Sequence, residues 1–317
     1  MAADRLVVET LDTHTAGMPT RILIGWPGED PDVDTVTAQR DAFIREHDHI
    51  RRLVMCEPRG HRSMYGAVPV PTGTAADLGV FFFDAHKYAD MCGHGTIGVV
   101  TALIESGRLD PAPDLTIATP AGLVRTRQEI DDGIVRSVAV NNVESTVFGS
   151  TTLRDSILGR IEIDIVAAGN VFGLVDATAI GLDVTVDHLD RFRHLGPRLL
   201  EQLATVGSDE HPEVTHLQFY AGERNVVVSG DGLFDRSPCG TGTCARMALH
   251  CDQGELAIDE PFRHESIIGT EFQGWLSDRT ERDGRTTVVP WVSGAAYLTG
   301  EHRFVLDPLD PLTPFLP

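Results

Sequence analysis

Two short stretches of this 317-residue chain have the residue types and spacing for acid–base chemistry. Cys92-Gly-His-Gly-Thr96 is followed after ten residues by Gly107-Arg-Leu109, and Cys239-Gly-Thr-Gly-Thr243 is followed after ten by Gly254-Glu-Leu256. Both obey C-G-x-G-T-x(10)-G-x-L, with six identities at fixed offsets, and the copies stand 147 residues apart, near half the chain. Chance likeness of two Gly-rich turns is the bland alternative, and six matched positions weigh against it. The run between the glycines suits a helix in each copy, and the later Gly stands where a C-terminal cap belongs. Each Cys therefore opens a helix. A thiol there meets unsatisfied backbone N–H groups and the positive end of the macrodipole, both of which favour thiolate. The glycines let backbone amides approach a ligand, and such a helix start suits a carboxylate. One such site is a nucleophile or an anion pocket. Two, on related halves that face each other, allow a thiolate to remove a proton while a thiol delivers one, as inversion of a carbon stereocentre without a cofactor requires.

Other chemistries fit these residues less well. Gly93-His-Gly-Thr-Ile-Gly98 reads GxGxxG, and Gly240-Thr-Gly-Thr-Cys-Ala245 reads GxGxxA. A dinucleotide fold wants that motif directly after a strand, with an acid about 20 residues on. Here His86–Met91 intervenes, and Glu105 and Asp110 are poorly spaced. A metal site from Cys92, His94, Cys239 and Cys244 lacks the usual zinc spacings. No Lys follows either motif, so neither is a phosphate P-loop. Cys92 with His94 or His61 would suit acyl transfer but leaves the duplication unexplained. Cys56, Cys244 and Cys251 read as buried packing residues. Asp235, four residues before Cys239, either meets a ligand ammonium or caps the helix, with nothing to choose between the two. His14 and His61 are polar loop groups able to line a pocket, although each alone is more often structural.

The elements that must position these residues alternate strands with a few helices. Strands are predicted at Leu6–Thr10, Arg21–Trp26, Leu78–Asp84, Gly122–Thr126, Ile134–Asn141, Ile161–Ala167, Asn225–Ser229, Glu265–Ile268, Thr287–Trp291 and Arg303–Leu306. Helices are predicted at Thr37–Val54, Gly95–Glu105, Val186–Thr205 and Gly242–Cys251. The region Asn142–Leu158 is the expected boundary, dividing a first half (1–150) that carries Cys92 from a second (151–299) that carries Cys239.

Composition narrows the function further. The apolar share is 42%, ordinary for a globular chain, and the length allows two domains or one large one. The 26 basic residues, of which only Lys87 is Lys, face 47 acidic ones, for a net charge of −21. A field this negative repels phosphate backbones and anionic lipid, so neither nucleic acid nor a membrane is an expected partner. The acids are dispersed (Asp30, Asp32, Asp34; Asp131, Asp132; Asp187, Asp190; Asp252, Glu255, Asp259). A dispersed acidic skin fits a halophilic protein kept soluble in concentrated salt, the alternative being an ordinary acidic protein from a GC-rich genome. A pyridoxal-phosphate enzyme would have to use Lys87. An odd count of five Cys argues against a disulfide framework. The N-terminal MAADRLVVETLD has no basic region or apolar core of a secretory signal, and no stretch approaches the ~20 apolar residues of a membrane span. A cytoplasmic protein with free thiols is expected.

Four stretches together resemble the proline racemase family. They are Asp12-Thr-His-Thr-Ala-Gly17, Glu57-Pro-Arg-Gly-His61, Met91-Cys-Gly-His-Gly-Thr-Ile-Gly98 and Asp235-Arg-Ser-Pro-Cys-Gly-Thr-Gly-Thr243, in family order over nearly the whole chain. The group includes proline racemases, 4-hydroxyproline 2-epimerases and trans-3-hydroxyproline dehydratases. The resemblance implies an α+β, diaminopimelate-epimerase-like fold. Two pseudo-symmetric halves are each a curved sheet around a central helix, with the active site in the cleft. The C-terminal segment, about 300–317, returns to the first half. Cys92 and Cys239 are then the paired acid/base cysteines, and Gly93, His94, Asp235, Gly240 and Thr241 contact the substrate. Asp235 and His94 hold the ring ammonium, and no cofactor is required. The presence of both cysteines points to a racemase or epimerase, because the dehydratases typically replace one with Ser or Thr.

Pocket polarity then bears on the substrate. Ser229 stands where the proline racemases tend to carry a bulky aromatic, leaving room and a hydrogen-bond partner for a ring hydroxyl. Tyr65 adds a polar tip near a position where the racemases resemble Phe, and His216 is a further wall residue. The expectation is a 4-hydroxyproline 2-epimerase acting on a small-molecule imino acid, with a homodimer as one option. The alternatives are a proline racemase, then a trans-3-hydroxyproline dehydratase or a non-catalytic imino-acid-binding module. The chain departs from the family at Asp84–Asp90 (DAHKYAD), where a Gly-Tyr-containing loop is usual.

Overall fold

Contacts divide the chain into two units, residues 1–140 with 295–317, and residues 141–294. The computed structural model describes residues 5–27, 35–206 and 211–312, so Asp30, Asp32 and Asp34 of the acidic set lie outside the described residues. The first unit contains β1 (Leu6–Thr15), β2 (Met18–Gly25), α1 (Val36–Met55), β3 (Tyr65–Val70), β4 (Leu78–Phe83), a two-residue β5 (Tyr88–Ala89), α2 (Gly93–Glu105), β6 (Asp114–Thr119), β7 (Gly122–Asp131) and β8 (Ile134–Asn141). The second contains β9 (Ser145–Asp155), β10 (Gly159–Ala168), β11 (Asn170–Asp176), α3 (Leu189–Val206), β12 (His216–Ala221), β13 (Arg224–Ser229), α4 (Gly240–Asp252), β14 (Phe262–Ser266), β15 (Glu271–Arg282) and β16 (Arg285–Gly294). The last strand, β17 (Ala296–Leu306), pairs antiparallel with β1 of the first unit.

The two units share one topology. In the first, β1 pairs antiparallel with β2, β2 runs parallel to β3, and β4 runs parallel to β6. Antiparallel pairs β3–β4, β6–β7 and β7–β8 complete the sheet. In the second, β10 pairs antiparallel with β11, and the parallel pairs are β11–β12 and β13–β14. Antiparallel pairs β12–β13, β14–β15 and β15–β16 follow, and β16 returns to β9, which closes the ring of strands. Each parallel pair is joined through a helix, α1 or α3 for the first and α2 or α4 for the second, as parallel strands require. The duplication in the two Cys motifs therefore extends through each half.

The helices that carry the motifs are buried, α2 because it is largely apolar all round and α4 although it also buries Arg246 and Thr243. All of His94–Ile104 in α2 is buried, as is Gly242–Leu249 in α4. The strand ahead of each helix shows why it sits there. Phe81 and Phe83 join Phe43, Ile50 and Leu53 of α1 in one apolar cluster. Between them Phe82 points the other way, under Gly95 of α2. In the second unit Val226 and Val228 join Phe192 and Leu199 of α3, and Val227 points under Gly242 of α4. Both helices end in the same way. Gly107 (φ +69°) and Gly254 (φ +76°) take the left-handed conformation. Arg108 N then donates to Leu103 O and Glu255 N to His250 O, both at 2.8 Å, a Schellman closure.

The structure departs from the sequence-based expectation in places. The division falls between residues 140 and 141, beside the expected boundary region Asn142–Leu158, and within that region residues 145–155 form β9, with Ser145, Val147, Leu153 and Asp155 buried on an irregular alternation. Strands β3, β5, β6, β9, β11, β12 and β15 were not predicted, and β14 begins three residues before the expected Glu265. Helices α2 and α4 each begin two residues earlier than periodicity alone suggests, because the leading glycines are already helical. The predicted helix from Val186 starts as a 3₁₀ turn and becomes α-helical at Leu189.

Candidate active site

In the first unit Cys92 is the N-cap of α2, with an ordinary extended backbone (φ −146°). Gly93 and His94 form the first helical positions, and the Cys92 Sγ lies 3.5 Å from His94 Nδ1 and 3.7 Å from Nε2. Tyr65, at the start of β3, meets the His94 ring edge-on with centroids 4.8 Å apart. Burial holds the His94 pKa down at about 4, so its imidazole is neutral near pH 7. Cys92, His94 and Tyr65 thus form one cluster. The Gly95 position is tight. A Cβ there would stand 2.9 Å from the Phe82 ring and 3.1 Å from the Cys92 Sγ.

In the second unit Cys239 is the N-cap of α4, and its backbone is not ordinary: φ is +64° with ψ +114°. A non-glycine residue held there costs about 1–3 kcal/mol and persists only where its surroundings over-determine it. The Cys239 Sγ accepts a hydrogen bond from Gly242 N at 3.3 Å and lies 3.6 Å from Thr241 Oγ1. Gly240 opens the helix between them. Asp235 Oδ1 accepts from both Ser237 N and Ser237 Oγ at 2.8 Å, and Ser237 Oγ accepts from Cys239 N at 3.1 Å. Asp235 thus caps the turn that leads into α4. Burial raises its carboxyl above the usual carboxylate range, against the pull of the Ser237 hydrogen bonds.

The helix-start argument for a thiolate does not prevail at Cys239. Burial first, and the Asp235 charge second, push this thiol well above its ordinary value. Gly242 N–H and Thr241 pull the other way without winning. Cys239 is therefore a protonated thiol near pH 7.

The remaining sequence candidates are placed as follows. Ser229 ends β13, and its hydroxyl engages Asp231 Oδ1 (2.5 Å) and Leu233 O (3.1 Å) within its own turn. His216 stands opposite Ser229 in the β12–β13 pair, its ring against Phe172. His14 accepts from Gly17 N in the β1–β2 turn and leans on Tyr297, and exposed His61 accepts from Ser63 N. Cys56, Cys244 and Cys251 are buried. The divergent Asp84–Asp90 segment is a tight turn in which Asp84 Oδ1 accepts from His86 N and Lys87 N. Arg51 of α1 donates to the carbonyls of Asp84 and Ala85. Among the described residues, no three His, Cys, Asp or Glu side chains are grouped to hold a metal ion.

Sequence reasoning assigned no role to Ser237, to the motif threonines or to His264. Thr96 Oγ1 donates to Cys92 O and Thr243 Oγ1 to Cys239 O, each at 2.8 Å, so the final Thr of C-G-x-G-T ties down the Cys carbonyl in both copies. Repetition of that Thr was the available signal.

The proline racemase family pattern matches residues 10–314. The chain belongs to the proline racemase family. It is 37% identical over 322 residues to a 4-hydroxyproline 2-epimerase of Streptosporangium roseum, and 33% identical over 326 residues to a proline racemase of Acetoanaerobium sticklandii, covering 96% of each chain in both cases. A trans-3-hydroxy-L-proline dehydratase of Bacillus thuringiensis subsp. konkukian is 35% identical at the same coverage. Among solved structures, a hydroxyproline epimerase from Agrobacterium vitis with bound trans-4-hydroxy-L-proline superposes with a TM-score of 0.83 at 27% identity, covering 99% of this chain and 96% of that one. A PhzF-family phenazine biosynthesis protein of Bacillus anthracis shares the fold at 16% identity (TM-score 0.65, 95% and 99% covered). The fold is α+β and diaminopimelate-epimerase-like, and the chain is an isomerase of the racemase and epimerase class. No helix among the described residues is long and apolar enough to cross a membrane.

Proposed function

We propose that this isomerase inverts the α-carbon of a cyclic imino acid, most readily 4-hydroxyproline, with Cys92 and Cys239 as its acid/base pair. The observation that carries the reading is the repeated helix start. Each unit buries one 13-residue helix whose N-cap is a Cys, with the Cys carbonyl tied by the same Thr and a Gly leaving space beside the thiol. The chemistry requires the two sulfurs to address opposite faces of one carbon. A thiolate takes the α-proton, and the electron pair is left on the α-carbon beside the carboxylate. The opposite thiol then gives its proton to the other face, so thiol and thiolate exchange places and the reverse reaction starts from the product. The first-turn N–H groups of the two helices suit the substrate carboxylate and the charge that develops on it. Asp235 suits the ring ammonium, and neutral His94 can serve as an acceptor for it. An ammonium at Asp235 also offsets the charge that helps keep Cys239 protonated.

Ser229 and Tyr65 support a hydroxylated ring. The Ser229 oxygen, having spent its proton on the Asp231 turn, keeps lone pairs for a ring hydroxyl. A proline racemase is the second reading, favoured by the relative of that name at 33% identity. Relatives with three activities lie within 33–37% identity, so similarity alone does not choose the substrate.

Proton NMR in D2O, with reductant and molar KCl, tests the reading on equal concentrations of trans-4-hydroxy-L-proline and L-proline. Faster loss of the hydroxyproline α-proton, with appearance of its 2-epimer, is the expected result. Cys92→Ser and Cys239→Ser should each lower turnover by about 10²–10⁴-fold, the usual contribution of a positioned acid or base. Faster exchange on proline selects the second reading. Turnover that survives either substitution refutes the two-cysteine mechanism.

A further inference from the structure

We propose that Ser237 is a positioning residue for Cys239, joining its backbone N–H to the Asp235 carboxylate so that thiol and carboxylate are held as one unit. The inference deepens the proposed function and rests on its assignment of Cys239 as an acid/base group. Its starting point is an asymmetry between the two copies of the motif. Cys92 has ordinary extended backbone, whereas Cys239 has a φ of +64°, a region that L side chains rarely adopt. In both copies the Cys carbonyl is tied by the motif Thr. Besides His94 against Thr241 at the x position, what differs is the lead-in, Tyr88-Ala-Asp-Met91 in one and Asp235-Arg-Ser-Pro238 in the other.

In the second lead-in the hydrogen-bond directions are fixed by proton count. Cys239 N has one proton and gives it to Ser237 Oγ at 3.1 Å. Ser237 has one hydroxyl proton, and Asp235 Oδ1, at 2.8 Å, is an acceptor with none to give. The relay therefore runs from Cys239 N–H through the Ser237 hydroxyl to the carboxylate. Ser237 is fully buried, so its loss leaves a peptide N–H with no solvent in place of its partner.

The carbonyl side of Cys239 is held as well. Thr243 Oγ1 donates to Cys239 O and lies 2.9 Å from His264 Nδ1. His264 Nδ1 also lies 3.4 Å from Asn225 Nδ2, and its Nε2 lies 3.5 Å from Gln218 Nε2. Thr243, His264 and Gln218 are all fully buried, and burial keeps His264 neutral. Both polar backbone groups of Cys239 are thus held by hydroxyls backed by buried partners. Releasing the N–H lets φ relax toward negative values, which swings the sulfur away from its line to the α-carbon, and a displacement of about 1 Å is worth about 100-fold in rate.

The test uses the full chain and compares Ser237→Ala with Ser237→Thr. Two things are read: kcat and KM in the α-proton exchange assay, and the pH dependence of iodoacetamide alkylation at Cys239 and Cys92, followed by peptide mass spectrometry. Ser237→Ala should lower kcat about 100-fold with a smaller change in KM. It should also move the Cys239 alkylation profile while leaving that of Cys92 in place, and Ser237→Thr, which keeps the hydroxyl, should recover both. An unmoved Cys239 profile, or equal movement at both cysteines, would overturn the proposal. If Ser237→Ala does not fold, amide exchange in the unaltered protein decides. The relay requires Cys239 N–H to be protected like the interior of α4, and rapid exchange there refutes it. Alkylation and exchange need no substrate, so inactivity on both imino acids would refute the proposed reaction while leaving Ser237 to be judged separately.

Discussion

The second Gly of C-G-x-G-T can be tested with one methyl group. In Gly242→Ala, the new Cβ would stand 3.1 Å from Cys239 Cβ, 3.1 Å from Val227 Cγ2 and 3.3 Å from Cys239 Sγ. Comfortable carbon contacts lie near 3.5–4.0 Å, so each neighbour must give by a few tenths of an ångström and none is driven out of place. Such crowding in a packed interior costs about 1–3 kcal/mol. Ala recovers up to about 1 kcal/mol over Gly through helix propensity, less in a first turn. The net loss of about 0–3 kcal/mol corresponds to a melting temperature lower by at most several degrees. Activity should respond more strongly, because the group that must yield is the thiol. If about 1 Å of misplacement is worth about 100-fold, a few tenths should lower kcat by about tenfold or somewhat less. The control is Gly254→Ala at the far end of the same helix, where φ is +76° and nothing lies within 4 Å of the added Cβ. That substitution strains the C-terminal cap, so it should lower stability by about 1 kcal/mol and leave kcat alone. Melting curves and α-proton exchange on both variants decide. If Gly242→Ala keeps wild-type kcat, or if Gly254→Ala loses as much, the glycine does not serve the thiol and the packing argument fails.

Three further outcomes follow from the same structure. His94 is buried and neutral with its pKa at about 4, whereas the unfolded chain binds that proton near 6.5. Stability should therefore fall as pH drops from 6.5 toward 4, by up to about 3 kcal/mol from this residue. The raised Asp235 carboxyl works in the opposite direction. Melting curves of His94→Asn over that range should show a shallower slope, and an unchanged slope rejects the assignment. Ser229→Ala removes a candidate partner for a ring hydroxyl and should lower kcat/KM for hydroxyproline about tenfold or more while sparing proline. An equal fall on both substrates would mean that Ser229 serves only its turn. The acidic residues Asp131, Asp132, Asp187, Asp190, Asp252, Glu255 and Asp259 are all exposed, so added KCl should screen their repulsion and raise the melting temperature up to molar levels. A flat or falling curve removes the halophilic reading.

What could be read in the sequence was whatever repeats or punctuates. The two Cys motifs located both buried helices, because a leading Cys-Gly and a trailing Gly mark a helix start and a left-handed cap wherever they occur. What could not be read depends on tertiary contact. In β3, Tyr-Gly-Ala-Val-Pro-Val carries a Pro that argues against a strand, and β11 is interrupted by Gly173, which local pattern reads as a weakness. The structure gives that glycine its reason: a Cβ would stand 2.6 Å from Leu217 and 2.9 Å from Ile163. Ser237 left no trace in periodicity, since a small hydroxyl announces nothing until its acceptor is known.

Electrostatics marks the same boundary more sharply. A helix start favours thiolate at both cysteines by local rule, but the state of Cys239 is set by how completely it is buried and by the carboxylate of Asp235, four residues upstream, which acts on the thiol directly. The shared C-G-x-G-T motif is thereby given a different setting in the second unit by its lead-in and by Thr241 where the first copy has His94. For the proposed inversion this difference is useful. One sulfur must hold a proton while the other has lost it, and two equivalent environments would leave the doubly protonated and doubly ionised states to compete with the productive one. In the proposed inversion the Asp235 carboxylate favours the proton on Cys239, its resting place until a cationic substrate offsets that charge.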